Sequence, residues 1–232
     1  MEQDAYQDQL DSFMERATSR PEFGNRWFKW PILDEDTPST AFDQHYVYHV
    51  AWALRCVARL APPHHVDFSS SLNFCSTVSA LVPTRFYDLR PAALHLPGLQ
   101  CLRADLTAGD FDVGRHPSVS CMHVVEHVGL GRYGDAVDVD GDLKAIANLK
   151  KAVAPGGQLL FVVPCGRPAI HFNAHRIYPA ASVIGYFADA FDLAEFHFIT
   201  GIEGEAPLQD PAPEATLDYD YGCGCFRFIR KA

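Results

Sequence analysis

No stretch of the 232-residue chain approaches the roughly 20 consecutive apolar residues that a membrane helix requires, so no membrane span is expected. Basic residues are scarce beside acids: 19 Lys and Arg against 29 Asp and Glu, a formal net charge of −10 with His neutral. That excludes a broad nucleic-acid surface, which needs clustered Lys and Arg against phosphate, and leaves room only for a small local basic pocket. Paired cysteines are also missing. The seven cysteines are odd in number, Cys223-x-Cys225 is the single close pair, and no second pair stands at zinc-finger spacing. Reduced, buried thiols follow, with no disulfide framework and no metal ligand set expected. A chain of this length builds a core without either. The acidic, polar start "MEQDAYQDQLDSF" is not expected to act as a secretory leader, and a cytoplasmic protein is expected. No internal repeat or low-complexity tract is evident.

What is present falls into two parts. Residues 1 to about 40 are polar and aromatic-rich, broken by Pro21, Pro31 and Pro38, and read as a helix followed by an irregular arm. The arm's "NRWFKWPI" suits either a lid or an oligomer contact. "STAFDQHYVYHVAWALRCVARLAP" reads as a helix capped by Ser39 or Thr40 and ended by Pro62-Pro63, with Val47, Val50, Ala51, Leu54, Val57 and Ala58 at helical spacing. It is expected to cover a sheet. Residues 1–62 are therefore assigned to an N-terminal helical extension.

From residue 63 to 232 short apolar runs alternate with helical segments. Strands are expected at 65–69, 85–89, 99–106, 118–125, 158–164, 193–200 and 223–231. Helices are expected from 71, from Asp142 to Pro155-Gly156-Gly157, and in "AASVIGYFADA". Residues 201–222 read as a surface loop. The alternation predicts an α/β domain: a seven-stranded, doubly wound sheet with helices on both faces.

Ligands of such sheets bind at the carboxyl ends of the strands, near the point where strand order reverses. There the sequence places Asp67, Ser69 and Ser70 after the first strand, Asp88 and Arg90 after the second, and Asp105 after the third. Met122 and His123, then Glu126 and His127, follow the fourth. A carboxylate closing the second strand can accept both ribose hydroxyls of a nucleoside, and one after the third can accept an adenine amino group. Small residues after the first strand let backbone N–H groups approach a charged tail at a helix start.

"RFYDLRP", "LRADLTA", "SVSCMHVVEHV" and "LKKAVAPGGQLLFVVP" resemble the second to fifth strand motifs of the class I S-adenosylmethionine-dependent methyltransferases, over about residues 64–200. "AFDQHYVYHVAWALR", "HVVEHVGLGRYGD" and "FNAHRIY" look more narrowly like the uncharacterised DUF268 type, whose relatives are associated with surface-polysaccharide gene clusters. The resemblance implies a Rossmann-like fold, S-adenosylmethionine as cofactor and methyl transfer to a small polar acceptor, a saccharide hydroxyl being one candidate. It places Asp67, Ser69, Ser70, Asp88, Arg90, Asp105 and Met122 at the cofactor. One departure stands out: "VDFSSSLNFCSTVSAL" contains no glycine, where these enzymes carry D-x-G-x-G-x-G. It motivates a second reading, a non-catalytic module that binds a nucleoside or a partner protein.

A third reading comes from His123-x-x-Glu126-His127, the spelling of an inverted zinc-hydrolase motif. It requires both rings on one helical face, and the fourth strand is expected to run through His123. On the methyltransferase reading His123, Glu126, His127 and His175 are the candidate catalytic residues, a base being needed for a hydroxyl acceptor. The glycine-rich "GLGRYGD" is expected to form a lid facing "FNAHRIY". Arg132, Tyr133, Asn173 and Arg176 are the candidate substrate contacts, with Arg132 held by Asp135 or by substrate.

Overall fold

The computed structural model describes residues 3–17, 22 and 28–232. Two units are distinguished, residues 1–42 and 43–232. In the first, α1 spans Gln3–Ala17, with Asp4 in its first turn and Arg16 in its last, the signs that suit a helix dipole. Residues 23–27, including the start of "NRWFKWPI", lie outside the described residues. Phe28 and Trp30 are exposed.

The second unit begins with α2 (Gln44–Leu60), so the break expected after residue 62 falls inside this unit. The helix is capped by Asp43, whose carboxylate accepts the Tyr46 N–H, and not by Ser39 or Thr40. It ends in a left-handed Ala61 ahead of the two prolines. Its buried face is His49, Trp52, Ala53, Cys56 and Val57. Of the six residues expected to define the apolar stripe, only Val57 is fully buried. Trp52 carries far more surface than the valines, and Ala53 lets the helix sit close, so the heavier stripe is the one that packs.

The main sheet contains β1 (His65–Phe68), β2 (Thr84–Asp88), β3 (Leu99–Arg103), β4 (His116–Met122), β5 (Val153–Cys165), β8 (Phe191–Ile199), β9 (Leu208–Gln209) and β10 (Gly222–Arg230). Their order is β3-β2-β1-β4-β5-β10-β8-β9. The first five are parallel, and β10 lies antiparallel between β5 and β8. The seven expected strands are all present, and the eighth is the two-residue edge strand β9 within the expected loop. A separate hairpin, β6 (Ala169–His171) with β7 (His175–Ile177), was not expected. "FNAHRIY" forms its turn and second arm.

The crossovers place α2 and α3 (Leu72–Ser79) over one face of the sheet and α4 (Gly141–Ala152) with α5 (Ala180–Phe187) over the other. β1 is buried along its whole length, as is β5 from Gly157 onward; burial on both faces is why Leu159–Val163 reads as a continuous apolar run, whereas β1 buries the polar His65 and Asp67. Strand order reverses between β1 and β4. No described helix is long and apolar enough to cross a membrane.

Candidate functional site at the strand carboxyl ends

At the reversal point a cavity of about 280 Å³ opens at the carboxyl ends of β1, β2, β3 and β4. Ser69, Asp88, Arg90, Asp105, His123, His127 and Tyr133 line it, seven of the residues that the sequence singled out. Apolar walls come from Leu89, Leu106, Val124 and Val128. Asp88 Oδ1 accepts the Arg90 N–H at 2.6 Å. Asp105 Oδ1 accepts the N–H and hydroxyl of Thr107, at 2.8 and 2.7 Å. Each carboxylate is thus fixed at its strand end by its own following loop.

Asp67 is a correction. β1 is buried on both faces, and the Asp67 carboxylate is turned into the protein, where it accepts from Ser70 N–H, Cys75 Sγ and the Ser120 hydroxyl of the neighbouring strand. Burial raises its pKa, against the opposing pull of those hydrogen bonds. It belongs to a polar chain across the sheet. With Ser120 donating to Asp67, His65 Nε2–H donates to Ser120; Ser118, accepting from Gln158, donates to His65 Nδ1. Arg227 Nε then donates to Gln158 Oε1. Burial, followed by the charge of His64, pushes His65 down to about 3, so its ring is neutral.

Ser70 and Met122 are likewise internal. The Ser70 hydroxyl accepts the Met122 N–H at 3.0 Å, tying the first loop to the end of β4, and the Met122 side chain is buried in the core. Ser71 caps α3. The glycine-free loop solves its turn with Ser69, which adopts φ +55 and directs both its N–H and its hydroxyl to the Tyr87 carbonyl. A left-handed non-glycine residue costs roughly 1–2 kcal/mol, and these two bonds offset it.

β4 stops at Met122, and His123 turns the chain with φ +56. Val125–His127 is a single 3-10 turn. The two histidines therefore do not share a helical face. His123 Nε2 faces Cys223 Sγ at 3.4 Å, whereas His127 Nδ1 faces the Ala174 carbonyl. Glu126, almost wholly buried, lies between them, with Oε1 3.0 Å from His123 Nδ1 and 3.7 Å from His127 Nε2; its Oε2 is buried without a hydrogen-bond partner. This geometry does not bring the two rings to one metal as the inverted zinc motif requires.

Tyr133 and Asp135 of the "GLGRYGD" segment line the same cavity. Asp135 Oδ2 accepts the N–H groups of Gly129 and Gly131, and its Oδ1 that of Tyr133. Burial opposes ionisation of Asp135, but these backbone donors win and hold its pKa below the usual carboxylate value. Arg132 donates to the Ala174 carbonyl, at 3.1 Å, so its partner is the "FNAHRIY" turn and not Asp135. The Arg90 and Arg132 guanidinium groups lie 4.8 and 5.1 Å from the Tyr133 ring centroid, a bridge from the β2 loop to the lid.

Arg176 is a second correction. It is buried, donates to the Val128 and Val139 carbonyls and lies 3.6 Å from Asp142, so it holds the base of the lid. Asn173 is exposed at the hairpin turn. His175 stacks on His171 and packs at a tilt against Tyr221, beyond the cavity lining, and burial, then the His171 charge, lowers its pKa.

Sequence reading missed the contribution of α2. His45, Tyr46 and His49 all approach the His123 ring, with centroids 6.2, 5.3 and 5.0 Å away. Tyr221 stacks on His45 at 5.3 Å. Burial, then the His123 charge, pushes His45 down to about 4 and His49 down to about 3. The available signal was His45-x-x-x-His49, two rings one helical turn apart.

Residues 110–203 match a family described as "Caenorhabditis protein of unknown function, DUF268". The chain superimposes on the N-methyltransferase NodS from Bradyrhizobium japonicum, solved with S-adenosyl-L-homocysteine, with a TM-score of 0.57 at 16% identity over 85% of this chain and 90% of that one. The TehB-like SAM-dependent methyltransferase from Corynebacterium glutamicum gives 0.51 at 11% identity over 97% and 99%. The chain carries the Rossmann-like fold of these methyltransferases, and its residues 110–203 are similar to the DUF268 family. An O-methyltransferase family protein from Burkholderia thailandensis gives 0.52 at 12% identity, over 80% of this chain and 56% of that one. No curated protein matches by sequence. On this methyltransferase fold the Asp88 and Asp105 carboxylates, with apolar walls between strand ends, fit a nucleoside. Asp67 is not placed to touch one.

Proposed function

We propose that the chain transfers a methyl group from S-adenosylmethionine to a small polar acceptor, with a saccharide hydroxyl as the candidate acceptor class. One observation carries this: Asp88 and Asp105, fixed at adjacent strand ends, face the same cavity as His123 and His127. Asp88 would accept the ribose hydroxyls and Asp105 the adenine amino group, between Leu89, Leu106 and Val124. When bound, the cofactor supplies an electrophilic sulfonium methyl.

The remaining work falls to this chain's own groups. His127 is the proposed base. Its Nδ1–H donates to the Ala174 carbonyl, which fixes the tautomer and leaves Nε2 to take the acceptor's proton. Glu126 Oε1, 3.7 Å from that nitrogen, stabilises the imidazolium formed. Arg132 and Tyr133 close the mouth and exclude water, and either can meet a polar acceptor group. The acceptor class is tested by incubating the full chain with methyl-labelled cofactor and a panel of free and nucleotide-linked sugars. A labelled sugar, lost in His127→Ala, is expected; label appearing on no hydroxyl acceptor would refute the saccharide assignment.

A further inference from the structure

We propose that His45, His123 and Cys223 form a zinc site beside the cavity, with Glu126 as the positioning residue. These three come from the start of α2, the end of β4 and the start of β10, and one ligand atom of each lies within 4.8 Å of the other two. Tetrahedral zinc with N and S ligands sets its donors about 3.4–3.6 Å apart. Cys223 Sγ and His123 Nε2, at 3.4 Å, already stand at that spacing. Bringing in His45 takes a movement of about 1 Å, available to a ring at the first turn of a helix.

Two further observations set this group apart from ordinary core packing. His123 Nδ1–H is donated to a carboxylate that is almost wholly buried, at 3.0 Å, which leaves Nε2 as the free lone pair pointing at Cys223. Carboxylate–histidine–metal triads are built this way, the outer carboxylate fixing ring orientation and raising ligand basicity. His123 is also held at φ +56, a conformation disfavoured for any residue with a Cβ and concentrated at functional positions. The donor set, two imidazoles and one thiol, selects zinc over magnesium or calcium. Binding releases the Cys223 thiol proton to solvent as the Zn–S bond forms.

Three protein ligands leave a fourth position open, as in catalytic rather than structural zinc sites. Resting on the methyl-transfer reading, that position would hold the acceptor's hydroxyl oxygen and lower its pKa. The zinc site itself does not depend on that reading. It also differs from the inverted motif in the sequence: it uses His123 without His127.

The test is metal titration of the full chain after chelator treatment, with zinc in competition against a chromophoric chelator and with cobalt as the spectroscopic probe. One equivalent of zinc is expected, with a near-ultraviolet thiolate-to-cobalt band. The band should vanish in Cys223→Ser. Zinc affinity should fall in His45→Gln by more than the about 10–100-fold that loss of an outer-shell partner costs, and by that smaller factor in Glu126→Gln. His127→Gln should bind as the parent does. His45→Gln, at a partly exposed position, is the decisive variant if Cys223→Ser does not fold. Absence of stoichiometric zinc, zinc retained in both ligand variants, or zinc lost in His127→Gln but kept in His45→Gln would each overturn the proposal. Calorimetry with S-adenosylhomocysteine on the same metal-free samples keeps the two readings separate: zinc bound without it upholds this site and contradicts methyl transfer.

Discussion

Lowering the pH from about 7.5 to about 5 should cost this fold much of its stability, well before its carboxylates titrate. His65 is completely enclosed and pushed down to about 3, chiefly by burial. His49 is nearly as enclosed and pushed down to about 3, again first by burial and then by the His123 charge. Unfolded, each titrates near 6.5. A histidine whose folded pKa is depressed contributes stability that is complete above 6.5 and falls as the unfolded chain takes up protons the native state refuses. At pH 5 each neutral ring costs about 1.36 × 1.5, or about 2 kcal/mol. The pair costs about 4 kcal/mol, against a total stability of about 5–15 kcal/mol for a domain. Asp67, raised by burial, acts with the opposite sign and offsets part of this. With a urea m-value of about 2 kcal/mol/M, the midpoint should fall by up to about 2 M. Urea unfolding followed by circular dichroism at the two pH values measures it. In His65→Gln the fall should be smaller by about 1 M, the share of one ring, with His45, pushed down to about 4, adding to what remains. A midpoint unchanged at pH 5, or a full fall in His65→Gln, would refute the reasoning.

Other consequences are open to measurement. Arg132→Ala removes one of two donors to the Ala174 carbonyl and one of the two cations on Tyr133; acceptor KM should rise or the lid loosen, seen as faster amide exchange at 129–135, while S-adenosylhomocysteine affinity changes less than threefold, roughly 0.6 kcal/mol. Equal losses in both would place Arg132 at the cofactor. Gly129→Ala puts a Cβ onto the Asp138 carbonyl at φ +80; a loss of at least about 1–2 kcal/mol is expected from the backbone alone, read by thermal unfolding, and an unchanged midpoint would show that the lid base is free to rearrange.

The sheet was legible because short apolar-containing runs alternate with helical segments and turn residues, most plainly in the doubly buried Leu159–Val163 of β5. Register with solvent was harder to read. Asp67 looks like a ligand residue from its place at a strand end, yet the Ser120 hydroxyl on a neighbouring strand and the Ser70 N–H turn it inward, and no local pattern encodes a partner more than fifty residues away. The "PGG" after α4 reads as a helix stop and turn, but α4 passes straight into β5, which runs from Val153 through these residues with a register shift against β4. Three-residue strands such as β6 and β7 carry too little periodicity to detect. Arg176 looked available for substrate because nothing in "FNAHRIY" reveals that two loop carbonyls claim it. The ring cluster of α2 does not show in the aliphatic pattern of the helix, because His49 and Trp52 form its buried stripe.

The central claim, that the cavity between Asp88, Asp105 and the β4 end holds the nucleoside of a methyl donor, is tested most directly by calorimetric titration of S-adenosylhomocysteine into the full chain and into Asp88→Ala. One-to-one binding is expected in the parent chain. Affinity should weaken in the variant by about 1.5–3 kcal/mol, the scale of a hydrogen bond to a charged group, with little change in thermal stability. No binding to the folded parent chain, or equal affinity in a folded Asp88→Ala, would contradict the account.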